Sequence, residues 1–313
     1  MAIGTSVIAA PATDYPRKPV RVIVALAPGG AVSAVSRIFA DRLGKELGKT
    51  FIVDHRGGGE TLIGTAAAAA APGDGYTLLV ASPAFAVNHT LMPDRGYDTI
   101  KDFTPVSGLV QTAWLLVAHP QMPVRNLKEF VAYSKANPDK VNLSSASSIG
   151  VLMYELLNDA TGVKFTVVNY KGQGPATTDL LSGVVQGTLT TATNIEQYIK
   201  AGRLKALATA GDKRNPLFPT LPTFAEQGVN GFVAQSWYTL LAPKNTPPDI
   251  VAKLNAAVRK IQNDPEVKTL LAKLGFETYQ TTVPAIQTQL SAEILRYGQL
   301  VKKSGLAKHG AAR

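Results

Sequence analysis

Val20-Arg21-Val22-Ile23-Val24-Ala25-Leu26 is followed by Ala27-Pro28-Gly29-Gly30, and residues 31–47 then carry apolar side chains at helical spacing. The first run is nearly continuous in apolar, mostly β-branched residues, as in a strand buried on both faces. Pro-Gly-Gly ends it, so strand, turn and helix follow one another as in an α/β sheet. The same unit recurs along the chain. Residues 51–53 and 76–81 read as strands around an Ala-rich helix at 61–71. Residues 114–118, 141–143, 165–169 and 204–209 read as further strands, and 127–135, 153–157 and 175–181 as helices. Helices at 249–261, 266–274 and 285–301 fill the last third. The pattern predicts parallel sheets with helices on both faces, in two doubly wound α/β domains. The chain is expected to leave the first domain near His119-Pro120 and to return near Ser236.

The chain has 313 residues, a length that suits two domains. Hydrophobic residues make up 45% and charged residues 17%, which excludes a disordered chain. No apolar run reaches the ~20 residues that span a bilayer. Cysteine is absent, so disulfide frameworks, thiolate metal sites and Cys nucleophiles are excluded. His55, His89, His119 and His309 are too scattered to suggest a metal centre, and no metal or cofactor is expected. The net charge of +10 would suit a nucleic-acid partner. Its basic clusters, however, are pairs: Arg17-Lys18, Lys213-Arg214, Arg259-Lys260 and Lys302-Lys303. Without a basic stripe or interleaved aromatics, nucleic acid is not an expected partner. A positive field still draws small anions.

Catalytic patterns fail on inspection. Gly44-Lys45-Glu46-Leu47-Gly48-Lys49-Thr50 is one residue short of a Walker loop and stands at the end of a helix, where Gly48 reads as a C-cap. The glycines at 57, 58, 59 and 64 lack dinucleotide-binding spacing. No nucleophile elbow and no H-E-x-x-H occurs. What the chain offers is small-residue turns after strands: residues 27–31, 81–85, 144–150, 170–172 and 188–194. Ligands of open α/β sheets bind at such strand ends, and a helix opening at Ala31 favours an anion there. A cleft for a small anion is the expectation.

The chain also resembles a known family. Tyr15-Pro16, Pro19-Val20-Arg21 and Pro28-Gly29-Gly30-Ala31 resemble the opening of Bug-type solute receptors, the extracytoplasmic binding proteins of tripartite tricarboxylate transporters. The likeness continues through Asp54-His55-Arg56 and its glycines, Ala71-Pro72-Gly73-Asp74-Gly75-Tyr76 and Lys101-Asp102-Phe103-Thr104-Pro105. It resumes at Tyr170-Lys171-Gly172, Thr178-Asp179-Leu180, Ile199-Lys200-Ala201-Gly202, Leu221-Pro222-Thr223, Ser236-Trp237-Tyr238 and Leu240-Leu241-Ala242-Pro243.

The resemblance implies a periplasmic-binding-protein fold, with a ligand cleft between a domain of residues 15–118 plus 236–313 and a second of 119–235. It implies a non-enzymatic, periplasmic receptor, monomeric, that hands a small carboxylate to membrane permease subunits. Ligand contacts carried over are Gly29, Gly30 and Ala31, then Ser145, Ser147, Ser148 and Tyr170. Ser82, Ala84 and Phe85 would face the ligand body, with Phe85 as a wall. Ser33, Thr190 and Thr191 stand where relatives often carry Asp or Asn, and Gly150-Val151-Leu152 replaces a common His-bearing helix start. With those carboxylates lost, a mono- or dicarboxylate, aliphatic or aromatic, suits the cleft better than an amino acid. A ligand-dependent sensor partner and a two-domain α/β enzyme are the alternatives. Residues 1–14, with the A-x-A pattern Ala10-Pro11-Ala12, read as a remnant of a cleaved signal peptide or a flexible arm.

Overall fold

The computed structural model describes residues 14–306, so all but the last residue of the segment read as a signal remnant lies outside it. The chain opens with β1 (Val20–Val24), α1 (Gly30–Leu47), β2 (Phe51–His55), α2 (Leu62–Ala69), β3 (Thr77–Ala81) and α3 (Pro83–Leu91). A long strand, β4 (Phe103–Ala118), leads to α4 (Leu127–Ala136), β5 (Asn142–Ser145), α5 (Ser148–Thr161) and β6 (Thr166–Asn169). Then come α6 (Gln173–Ser182), β7 (Gly187–Thr191), α7 (Ala192–Lys200) and β8 (Lys205–Thr209). β9 (Gln235–Pro243) returns to the first strands, followed by α8 (Pro248–Asn263), α9 (Pro265–Lys273), β10 (Glu277–Thr278) and α10 (Val283–Ser304).

β1 lies between β2 and β3, parallel to both, and buries every side chain but that of Arg21, which is half-exposed. α1 buries Val32, Val35, Phe39 and Leu43, the spacing of one helical face. It stops at Gly48, whose φ of 72° and N–H bond to the Gly44 carbonyl (3.0 Å) make the left-handed C-cap read from sequence.

The strands run β2-β1-β3-β9-β4-β7-β5-β6 in one curled sheet, with β8 and β10 also paired to β4. The triplets β2-β1-β3 and β6-β5-β7 are parallel, as expected. Between them, β9 and β4 are antiparallel to their neighbours, which corrects the expectation of wholly parallel sheets. The reason is topological: the chain passes to the second strand group along β4 and comes back along β9. β4 pairs with β9 as far as Ala113, and with β7 and β8 from Trp114 onward.

Only the second half of β4 is evident in the sequence. Pro105 and Gly108 interrupt the first half, and both lie at register shifts, where a strand tolerates them. The turn expected at 81–85 is mostly the first turn of α3, with Pro83 at its opening position. α10 buries Ile286, Leu290, Ile294 and Tyr297 and packs on α3 and α5, bringing both strand groups into one buried cluster.

Candidate functional site

Residues 26–30 stand exposed beyond the carboxyl end of β1. Gly29 (φ 102°) and Gly30 (φ 68°) adopt left-handed backbone, and a Cβ on either would meet no neighbour. Conformation, rather than space, requires glycine there. α1 opens from this turn with no side-chain cap and no acid in its first turn. Its leading N–H groups therefore present partial positive charge to an incoming anion. Ala31 is half-exposed, whereas Ser33 is buried and donates its hydroxyl to the Gly29 carbonyl at 2.7 Å. Ser33 locks the turn from beneath.

A second loop, residues 57–61, packs against the first. A Cβ on Gly57 would lie 2.6 Å from the Ala27 nitrogen. Beyond Gly58 and Gly59, Glu60 (φ 52°) and Thr61 (φ 80°) are also left-handed, a strain of about 1–3 kcal/mol each. Buried Asn88 of α3 holds them, its Nδ2 donating to the Glu60 carbonyl (2.6 Å) and to Thr61 Oγ1 (3.2 Å). Thr65 Oγ1 donates to the Thr61 carbonyl at 2.8 Å. Thr61, Thr65, Leu26, Val32, Ser82 and Phe85 line a small pocket of about 10 Å³, room for about one water. Ser82 stands at the N-cap of α3 without capping it, and Ala84 is half-exposed. Phe85 forms the pocket floor instead of a free wall: it is buried, stacked on Tyr97 (6.5 Å between centroids) and edge-on to Phe103 (5.2 Å).

The serine loop sits in the second strand group. Ser145 Oγ donates to the Ser147 carbonyl (3.0 Å), and Ser147 Oγ accepts from Gly150 N–H (3.2 Å) as the N-cap of α5. The Ser148 hydroxyl lies 3.2 Å from each oxygen of the Glu60 carboxylate and donates to it. That contact joins the loop behind the Pro-Gly-Gly turn to the opening of α5. Tyr170 N–H donates to the Ser145 carbonyl (2.8 Å), and its hydroxyl to Asp179 Oδ2 (2.7 Å). Burial, and then Asp179, push its pKa up to about 12, so it is a neutral donor at physiological pH.

The turn expected at 188–194 is β7 running directly into α7. Thr190 is a buried strand residue whose Oγ1 accepts from Asn194 Nδ2 (3.0 Å). Thr191 occupies the N-cap position of α7, with the Thr193 hydroxyl 3.4 Å from its own. Glu60 and Asn88 are absent from the sequence reading, and Thr61 enters it only as the first residue of the Ala-rich helix. The glycine run before them is visible in sequence, but nothing in it says that the left-handed turn continues through Glu60. Glu60 is a carboxylate beside the serine loop that the reading of a cleft with fewer negative charges did not include. Among the described residues, no group of three His, Asp or Glu is placed to hold a metal ion.

Residues 35–306 match the family described as tripartite tricarboxylate transporter family receptor, TctC. Protein BugT of Bordetella pertussis is 35% identical over 309 residues, covering 97% of this chain and 95% of its own. The solved structure of R. palustris Rpa4515 with adipate has a TM-score of 0.81 at 32% identity, covering 93% of this chain and 99% of that one. MatC (Rpa3494) from Rhodopseudomonas palustris with bound malate has a TM-score of 0.76 at 32% identity, covering 92% and 100%. The shared fold and the family match over most of the length lead to one conclusion: this chain belongs to the receptor family of tripartite tricarboxylate transporters.

Proposed function

We propose that the chain is a periplasmic receptor that captures a small carboxylate between two lobes and delivers it to the membrane permease subunits of a tripartite transporter. The lobes are residues 15–118 with 236–313, and residues 119–235. The change of β4 pairing at Ala113/Trp114 supports a division near that point. One observation carries the ligand class: the uncapped, acid-free opening of α1 at Gly29-Gly30, beside a pocket edged by the hydroxyls of Thr61 and Ser82. Such N–H and O–H donors make charge-assisted bonds to a carboxylate, about twice as strong as neutral ones. The adipate and malate held by two relatives are carboxylates and support the same class. The resemblance of the chain to receptors supports delivery without catalysis, and a monomeric state is part of the same proposal.

Thermal-shift measurements with aliphatic and aromatic carboxylates test the proposal. A cognate ligand at a hundredfold excess over its Kd should stabilise the fold by about 2.7 kcal/mol. The corresponding amide should bind much more weakly. Equal binding of acid and amide would refute the anion site.

A further inference from the structure

We propose that Glu60 sets the specificity of this cleft, selecting a carboxylate whose far end carries a hydrogen-bond donor, ammonium or hydroxyl, over a dicarboxylate. The inference rests on the carboxylate-receptor reading above and names the ligand more narrowly.

Two helices open at the site, and they differ. Neither α1 nor α5 has an acid in its first turn. At α5, however, the chain supplies one from elsewhere: the Glu60 carboxylate, held by the Ser148 hydroxyl through both oxygens. A negative charge thus already stands beside the opening of α5, where an anion is favoured, while α1 receives none. Glu60 follows the loop whose Gly57 packs on Ala27 of the Pro-Gly-Gly turn, so with a ligand carboxylate at the α1 end we assign the far end of the ligand to Glu60. A second carboxylate there would meet a like charge, and would find the Ser148 proton already engaged. An ammonium or hydroxyl would instead find an acceptor, because an ionised carboxylate accepts at about four lone-pair sites and donates none. Glu60 is bound to a hydroxyl rather than a cation, so its charge is not cancelled by that bond.

The backbone supports the assignment. Glu60 and Thr61 keep left-handed conformations that glycine would adopt without strain, and buried Asn88 and Thr65 pin them there. Strain of this kind persists where the surroundings over-determine it, and it clusters at ligand-binding sites. The consequence here is a carboxylate with a fixed base.

The test is isothermal titration of the full chain and of Glu60→Gln with length-related pairs: succinate against β-alanine and γ-aminobutyrate, and adipate against 6-aminohexanoate and 6-hydroxyhexanoate. The unmodified protein should bind the donor-bearing member at least about tenfold more tightly, and Glu60→Gln should bring the pair to within about threefold. A dicarboxylate bound as tightly as its partner, a ratio unchanged in Glu60→Gln, or binding confined to carboxylates without a donor overturns the selectivity and leaves the receptor reading intact. Failure of every carboxylate, aromatic acids included, to bind either protein removes both.

Discussion

Ser147 shows how much one hydroxyl can settle locally. Its oxygen accepts the Gly150 N–H at the opening of α5, and its own proton remains directed by whatever acceptor approaches. Ser147→Ala should therefore destabilise the fold by about 0.5–2 kcal/mol, the usual worth of an N-cap, read as a lower urea midpoint at unchanged slope. An unaltered midpoint would mean that the cap contributes nothing. Ser147 entered the sequence reading only as a ligand contact implied by the resemblance, although its capping bond is decided within three residues. Glu60 was not legible, because its partner Ser148 is 88 residues away and its backbone conformation is imposed by Asn88. Tyr170 lies between these cases: the resemblance offered it as a ligand contact, but its bonds to the Ser145 carbonyl and to Asp179 depend on how β6 and α6 pack.

At the level of elements, periodicity recovered what local burial dictates. β1, α1, α8 and α10 were legible because each buries one continuous face or both. The first half of β4 was missed because Pro105 and Gly108 interrupt its apolar run, and β9 was read only as the point of return near Ser236. Two contacts between elements give measurable consequences. Gly64 of α2 rests on the end of β1, and a Cβ there would lie 2.7 Å from both Ala25 Cα and the Arg56 carbonyl oxygen, which are backbone atoms. Gly64→Ala should push α2 away, cost about 1–3 kcal/mol in thermal unfolding, and weaken carboxylate binding by displacing Thr61 and Thr65. A variant with native melting temperature and affinity would refute that placement. Asp102 joins the turn before β4 to the end of β9, accepting the Asp98 N–H (2.8 Å) and Lys244 Nζ (2.9 Å). These two bonds hold its carboxyl below the ordinary range. Its contribution is complete above the unfolded value of about 4 and is lost as pH falls through the lower folded value. Asp102→Asn should reduce stability at neutral pH by about 1–3 kcal/mol and flatten the acid limb of the stability profile, measured by urea unfolding across pH. An acid limb of unchanged slope would assign the loss to other carboxylates.

For the whole molecule, the ligand contacts that the resemblance implies fall in both strand groups, Gly29 to Ala31 on one side and the serine loop with Tyr170 on the other. Surrounding a ligand would therefore need an approach of the two. A ligand shifts such an equilibrium by its differential affinity for the closed form. Small-angle scattering should show a smaller radius of gyration on saturation with a carboxylate that gives a calorimetric signal. An identical curve from an open unliganded protein would rule closure out. The mechanical character of that motion follows from β4. The strand crosses between the groups unbroken, and at the crossing Trp114 N–H donates to Ala234 O (2.9 Å), Ala210 N–H to Trp114 O (2.7 Å) and Ala234 N–H to Ala210 O (2.8 Å). A joint built this way is a torsion bar rather than a free pivot. Rotation has to be taken up as twist along a hydrogen-bonded ladder, which resists in proportion to the angle and returns to one rest position. If binding rotates the two groups, that ladder would set the rest aperture, and release of the ligand would draw on its elastic recoil.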